Sequence, residues 1–299
     1  MSSGTPPPTP ADGACPASPA VETAEGWGPP ATTPTVIPIV VSSIQACGPN
    51  RFVFTFVDAQ SLPIAAPDRT ASVAFYDLGR DPSKPITTVD AAFVWAIEDL
   101  RGAYVANVDF TTQGVWGAEF RTTAPGSPET VVRLSFTVRA ASPTLGIGRQ
   151  APASATPTLA DVGGDIAALS TDREPLAAFY ETSVAAAVAA HEPFLLVFAT
   201  PKFCASAQCG PTLDRVKPLV AAYPTVTFIN VEPYQLEVVE GQLQPVITNN
   251  QLTPVASVTE WGLVSEPWIF VVDRDGVIRG SFEGIVRTEE LEAALDAVR

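Results

Sequence analysis

Two cysteines separated by four residues, Cys204 and Cys209, are the residues whose type and spacing point most directly to chemistry. They follow a continuous apolar run at 194–199 and precede a helical pattern at 212–222, so they fall where a buried strand passes into a helix. Unpaired backbone N–H groups and the positive end of the helix dipole favour a thiolate at such a position. Because the thiolate is the form that attacks disulfides, the pair predicts thiol–disulfide chemistry.

The spacing of the pair also constrains the backbone between the two sulfurs. Within one continuous helix, five positions would rotate the second thiol by about 140° away from the first. A disulfide needs Cα atoms within about 7 Å of each other. We therefore expect residues 205–208 to form a loop and the helix proper to begin near Pro211.

The composition excludes several other kinds of chemistry. The chain has 299 residues, a single histidine and a formal net charge of −15. This acidity argues against nucleic acid as a partner, because phosphate binding needs clustered Lys and Arg. A histidine-ligated metal site or a Ser-His-Asp hydrolase would depend on His191 alone, so we predict no metal and no cofactor. No run reaches the roughly 18–20 apolar residues of a membrane helix, so we predict no integral membrane segment.

The sequence pattern changes along the chain and predicts several domains. Residues 1–36 are rich in Pro, Ala, Thr and Ser and predict a flexible tail. From 37 to 141, short alternating segments separated by Gly, Pro and Asp turns predict an all-β immunoglobulin-like sandwich. Residues 142–151 are typical of a linker, and 152–299 predict an α/β domain. Its predicted elements are helices at 174–191, 212–222 and 288–298, strands at 194–199 and 226–231, a polar insertion at 232–256 and a hairpin at 266–282.

Three motifs in residues 148–299 resemble the thioredoxin superfamily, most closely its TlpA- and ResA-like exported redoxins. Residues 198–204 are similar to the family's Phe-x-Ala-x-Trp-Cys approach, 261–267 to the segment that carries a cis-proline, and 282–284 to the turn into the last helix. The resemblance implies a thioredoxin-like domain at 152–299. It also implies site residues, with Cys204 as nucleophile, Cys209 as resolving cysteine, Pro267 as the cis-proline facing them, and Phe203, Lys202, Glu266 and Trp268 as substrate contacts.

The sequence departs from that family at three points. Its cysteines are separated by four residues where the family has two, and the run at 194–199 contains no acid that could assist proton transfer. Glu266 stands where the family has Thr or Val, and its charge disfavours a nearby thiolate. These departures predict a slower reductase than is usual in the family.

The resemblance implies a thiol–disulfide oxidoreductase that acts on protein thiols or disulfides, or on a redox partner protein. It also implies an extracytoplasmic location, either secreted or at the cell surface, with the export signal absent from this chain. The even number of cysteines, four, suits an oxidising compartment, although a cytoplasmic location stays open. The alternative is a catalytically inactive redoxin-fold binding or scaffold protein with a structural Cys204–Cys209 disulfide. The sequence leaves open whether Cys15 pairs with Cys47.

Overall fold

The computed structural model describes residues 15–22, 24–29 and 32–299. The chain is mostly β, with 38% of its residues in strands and 15% in helices. This agrees with the all-β part of the predicted fold class, whereas the predicted α/β thioredoxin-like domain is not shown. It divides into two compact units: the described residues up to 64 with 68–92 and 104–142, and residues 65–67, 93–103 and 143–299.

The first nine strands form two sheets. Their bounds are β1 Val36–Val40, β2 Gln45–Ala46, β3 Gly48–Asp58, β4 Thr70–Asp77, β5 Thr87–Asp90, β6 Ala92–Ile97, β7 Arg101–Phe110, β8 Gly114–Thr123 and β9 Thr130–Arg139. The strand orders are β1-β3-β7-β6 in one sheet and β2-β9-β8-β4-β5 in the other.

The two sheets pack face to face through aromatic side chains that alternate along the strands. Phe52 of β3 lies 5.1 Å from Phe75 of β4 between ring centroids, and Phe54 lies 4.9 Å from Phe120 of β8. Successive side chains of a strand point to opposite faces, so the spacing of two in β3 places these rings on one side of its sheet. The aromatic layer between the sheets is the core of the first unit.

Part of the predicted flexible tail is packed against the second of these sheets. Trp27 is only 7% exposed, and Cys15 forms a disulfide with Cys47 across a Cα–Cα distance of 6.1 Å. The prediction therefore needs correction for residues 15–22 and 24–29, because an apolar site and a covalent bond order a segment that has no periodic pattern of its own. Residues 1–14, 23, 30 and 31 of the predicted tail lie outside the described residues.

The later part of the chain contains five short helices and eight strands. The helices are α1 Val184–Ala189, α2 Cys209–Val216, α3 Leu219–Ala222, α4 Ala256–Glu260 and α5 Thr288–Asp296. The strands are β10 Phe194–Phe198, β11 Thr227–Val231, β12 Leu236–Val239, β13 Gln242–Pro245, β14 Ile247–Thr248, β15 Gln251–Leu252, β16 Trp268–Val272 and β17 Ile278–Glu283.

Four of these strands form a mixed sheet in the order β11-β10-β16-β17. Strand β10 is parallel to β11 and antiparallel to β16. All five residues of β10 are buried, because both faces of the sheet are covered. Leu195 and Val197 belong to a core that includes α2 and α5, while Leu196 belongs to a second core that includes α1 and Trp261.

Several predicted helix bounds differ from the observed ones. The helix predicted at 174–191 is a 3-10 turn at Ala177–Tyr180 followed by α1, because the Ser183 side chain accepts a bond from the Ala186 N–H and begins a new helix. The helix predicted at 212–222 begins earlier, at Cys209, and is interrupted before Pro218, which has no N–H to continue it. The polar insertion forms two hairpins, β12–β13 and β14–β15.

Candidate functional site

The candidate site is the disulfide between Cys204 and Cys209, whose Cα atoms lie 6.1 Å apart. The two cysteines differ in exposure: Cys209, the first residue of α2, is fully buried, and Cys204 is half-buried in the preceding loop. The loop reverses at Ala207, whose φ of 59° lies in the left-handed region. This asymmetry leaves one sulfur for an approaching group to reach and holds the other in the core.

The helix N-terminus contributes a hydrogen bond to the outer sulfur. The Cys209 N–H donates to Cys204 Sγ at 3.3 Å, and the Ser206 hydroxyl lies 3.4 Å from the same sulfur. The prediction that the helix begins near Pro211 is wrong, since α2 begins two residues earlier. The consequence is chemical: an N–H of the first helical turn, which has no partner within the helix, points at Cys204 and favours a negative charge there.

Glu266 accepts two hydrogen bonds from the loop between the cysteines. Its Oε1 accepts the Ala205 N–H at 3.1 Å, and its backbone carbonyl accepts the Ser206 hydroxyl at 3.2 Å. Its Oε2 accepts the Tyr234 hydroxyl at 2.8 Å. Burial, followed by the adjacent Glu266 carboxylate, raises the pKa of Tyr234, so this hydroxyl stays protonated as a donor.

Pro267 comes directly after Glu266, is buried, and is joined to it by a cis peptide bond. Its carbonyl accepts the Gly284 N–H at 2.8 Å, which ties this segment to the end of β17. The structure thus brings Glu266 to the loop of the cysteine pair, with Pro267 adjoining it in the chain.

The remaining predicted contacts are engaged with neighbouring elements. Lys202 Nζ donates to the Leu243 carbonyl of β13 at 3.1 Å and lies 5.4 Å from the centre of the Phe203 ring. The Trp268 indole N–H donates to Ser265 Oγ at 3.0 Å. The Lys202 ammonium therefore binds the hairpin insertion.

A buried acid that the sequence pattern did not reveal lies behind the loop. Glu232, directly after β11, is 7% exposed, and its Oε1 accepts both the N–H and the hydroxyl of Thr171 at 2.7 Å. Thr171 Oγ1 in turn accepts the Lys202 N–H at 3.2 Å, two residues before Cys204. Burial raises the pKa of Glu232, and the threonine hydrogen bonds oppose that effect. Strand β10, which precedes the cysteines, contains no acid. The buried acid Glu232 instead follows the neighbouring strand β11.

Tyr180 adds a second buried polar group beside Glu232. Its hydroxyl donates to Ser170 Oγ and accepts from Asn230 Nδ2, both at 2.8 Å. Burial raises the pKa of Tyr180 to about 12, with nearby acidic groups including Glu232 contributing in the same direction. Tyr180 and Cys209 belong to the same core, so this network supports the packing around the inner sulfur.

Two further observations concern the described part of the chain. Within residues 15–22, 24–29 and 32–299, no cluster of three or more His, Cys, Asp or Glu side chains is placed to hold a metal ion. Over the same residues, none of the helices has the length and apolar character needed to cross a bilayer.

Comparisons with known proteins identify no family for this chain. No family model matches it, and no curated protein matches it. Among solved structures, it is similar to a DUF4426 family protein from Pseudomonas aeruginosa PAO1, with 10% identity over 36% of this chain and 91% of that one. The TM-score of 0.26 is too low to support an argument about a shared fold.

The predicted membership of the thioredoxin superfamily, with an N-terminal immunoglobulin-like domain, is corrected by these findings. No family model matches the chain, and its 38% strand and 15% helix show a chain dominated by β-structure. The short motifs around the cysteine pair and the proline were not sufficient to identify the family. The function of the chain has to be inferred from the geometry of the site alone.

Proposed function

We propose that this chain is a thiol–disulfide oxidoreductase in which Cys204 attacks and Cys209 resolves. One observation carries the proposal: the half-buried Cys204 sulfur accepts an N–H from the first turn of α2, while its partner Cys209 is fully buried. A reachable thiol at a helix N-terminus beside a protected second thiol is the arrangement that exchange needs.

The reaction proceeds in two balanced exchanges. In the reduced protein, the Cys204 thiolate attacks one sulfur of a partner disulfide, and the other partner sulfur leaves as a thiolate and takes up a proton. Cys209 then loses its proton and attacks Cys204 Sγ, which re-forms the Cys204–Cys209 disulfide and releases the second partner thiol. Two electrons pass from the cysteine pair to the partner, and the reverse sequence oxidises a partner dithiol.

The partners we propose are protein thiols or disulfides, and the location we propose is extracytoplasmic. Two disulfides in the described residues, Cys15–Cys47 and Cys204–Cys209, support an oxidising compartment, because cytosolic reductants keep most thiols reduced. Phe203 supplies a half-buried apolar surface next to Cys204 for a partner chain.

A trapping experiment tests the assignment of the two cysteines. The Cys209→Ser variant, reduced and then mixed with a disulfide-bonded peptide, should accumulate a mixed disulfide through Cys204 that non-reducing mass spectrometry detects. The matched Cys204→Ser variant should accumulate about a hundredfold less, because local opening must first expose the buried sulfur. Absence of any adduct with Cys209→Ser, or equal adducts with both variants, would refute the proposal.

The second candidate function is a binding protein whose Cys204–Cys209 bond is structural. It is favoured by the hairpin insertion, where Val238, Val239 and Ile247 are exposed apolar residues. The reduction potential separates the two candidates. A working pair should titrate between about −270 and −120 mV, whereas a structural bond lies below about −300 mV.

A further inference from the structure

A second disulfide lies in the first unit, far along the sequence from the candidate site, and the proposed oxidoreductase activity does not use it. Cys15 and Cys47 are both half-buried, so a small reductant can reach their bond. Between Cys15 and β1 runs a segment that we call the strap, defined as the described residues 15–22 and 24–29. Its role can be inferred from the way it is held.

Two side chains seat the strap on the sheet. Trp27 donates its indole N–H to the Pro82 carbonyl at 3.0 Å, and its ring lies 4.9 Å from Tyr76 and 5.0 Å from the Arg133 guanidinium. Ser18 donates its hydroxyl to the buried carboxylate of Asp77. Most other described strap residues are exposed, while Val21 and Ala24 pack partly buried against the apolar cluster that contains Trp27.

The sheet face beneath the strap is shaped for it. A Cβ at Gly117 would lie 2.3 Å from the Trp27 ring, and a Cβ at Gly79 would lie 2.1 Å from the Pro19 carbonyl oxygen. Ala74, Tyr76 and Leu78 form an apolar cluster with Trp27 on this face. The face of a sheet that is exposed to water normally carries polar side chains. Because this face is apolar, the strap is needed to shield it from water.

The backbone, in contrast, attaches the strap only slightly. Its described residues form no strand, and their backbone pairing with the sheet is one bridge between Ala17 and Gln113. In this bridge the Ser18 N–H donates to the Gln113 carbonyl at 2.8 Å, and the Gln113 N–H donates to the Pro16 carbonyl at 3.1 Å. Two longer side-chain bonds, from Gln113 and Arg133, reach the carbonyls of Cys15 and Gly26. Segments with few backbone bonds open at the low end of the free-energy range within a protein. The disulfide closes the strap into a ring, since its cysteines are separated by 32 positions.

We propose that the Cys15–Cys47 disulfide is a redox latch whose reduction releases the strap and uncovers the apolar face around Gly117. The reductant is a dithiol: one of its thiolates attacks a sulfur of the bond, the other cysteine leaves as a thiolate, and the second thiol of the reductant resolves the mixed disulfide. Two electrons pass to Cys15 and Cys47, and the dithiol becomes a disulfide. The strap is then tethered at one end only and loses the ring that held Ser18 and Trp27 in place.

Proteolysis after glutamate tests the latch, because the strap contains the exposed Glu22 and Glu25. In the full chain, a glutamyl endopeptidase should cut a Cys15→Ser/Cys47→Ser variant at these residues at least about tenfold faster than the wild type. Without the disulfide the strap is no longer held at its Cys15 end, so it leaves the sheet more often and the protease can bind it. The matched Cys204→Ser/Cys209→Ser variant should be cut at the wild-type rate. Unreduced Gly117→Ala should also be cut faster, because its methyl group occupies the space of the Trp27 ring.

Hydrogen exchange on the Cys204→Ser/Cys209→Ser variant treated with dithiothreitol, in which Cys15–Cys47 is the disulfide left to reduce, gives an independent measurement if the Cys15→Ser/Cys47→Ser variant folds poorly. Faster exchange confined to the strap and to the facing strands β4 and β8 supports the latch. Unchanged cleavage and exchange after reduction would overturn it, as would loss of protection throughout both sheets. Wild-type cleavage of Gly117→Ala would overturn the inference that this face is shaped for the strap.

Discussion

Replacing Glu266 by Gln should make the reduced Cys204 more reactive. The substitution keeps an oxygen that can accept the Ala205 N–H, which Glu266 Oε1 accepts at 3.1 Å, but removes the negative charge. Adding the covalent distance from that nitrogen to the sulfur places the carboxylate within about 8 Å of Cys204 Sγ. The charge disfavours the thiolate by about 0.5 kcal/mol in a water-like dielectric and by about 2 kcal/mol at an effective dielectric of about 20.

These energies correspond to a measurable change in rate. Removing the charge should raise the fraction of Cys204 thiolate at neutral pH by between about twofold and about 30-fold. The assay is alkylation of the reduced protein by iodoacetamide, followed by peptide mass spectrometry so that Cys204 is read separately. The ratio of variant to wild type should shrink in 1 M salt, where the screening length is about 3 Å.

Glu292→Gln is a suitable control, because Glu292 is an exposed acid on α5 and its replacement changes the net charge by the same amount. It should leave the alkylation rate of Cys204 unchanged. If Glu266→Gln has an unchanged circular dichroism spectrum and is alkylated no faster than the wild type, the Glu266 charge does not control the reactivity of Cys204.

Three further substitutions test the interior of the same unit. Because the pKa of Tyr180 is raised to about 12, its contribution to stability is complete below about pH 10 and is lost as the pH rises to about 12. Tyr180→Phe should abolish this loss of about 3 kcal/mol in the free energy of unfolding, measured by urea unfolding at pH 9 and pH 12. An unchanged loss of stability at alkaline pH in the variant would contradict this. For Glu232, whose pKa burial raises, stability is complete below about pH 4.5 and falls as the pH rises through the folded-state pKa; Glu232→Gln should be less sensitive to pH over that range, and equal slopes would contradict this. Trp261 is fully buried and donates to Ser154 Oγ at 3.1 Å, so Trp261→Phe should cost about 1–3 kcal/mol in the free energy of unfolding, and an unshifted urea midpoint would show that the bond contributes nothing.

Local patterns predicted much of the regular structure. The apolar run at 194–199 corresponds to β10, because a continuous apolar pattern indicates a strand that is buried on both faces. The cysteine pair also lies where the patterns placed it, between β10 and α2. These successes share a cause, since each depends on residues close together in the chain.

The failures involve partners that are distant in the sequence. Trp27 lies in a proline-rich segment, and its burial depends on Gly117, ninety positions later, so no local pattern could reveal it. Glu232 looks like a turn residue after a strand, yet it is buried and accepts the N–H and the hydroxyl of Thr171, 61 positions earlier in the chain. The family assignment failed for the converse reason: three short motifs agreed with a known family, and short motifs do not determine a fold.

The base of the hairpin insertion is closed in a way that suits protein engineering. Gln235 N–H donates to the Thr253 carbonyl at 2.8 Å, so the chain leaves and re-enters the unit at almost one point. A two-residue turn can join these positions and delete both hairpins, and the same junction can accept a foreign peptide in their place. The Lys202 ammonium, which now binds Leu243 within the excised segment, would then be set free beside the cysteines.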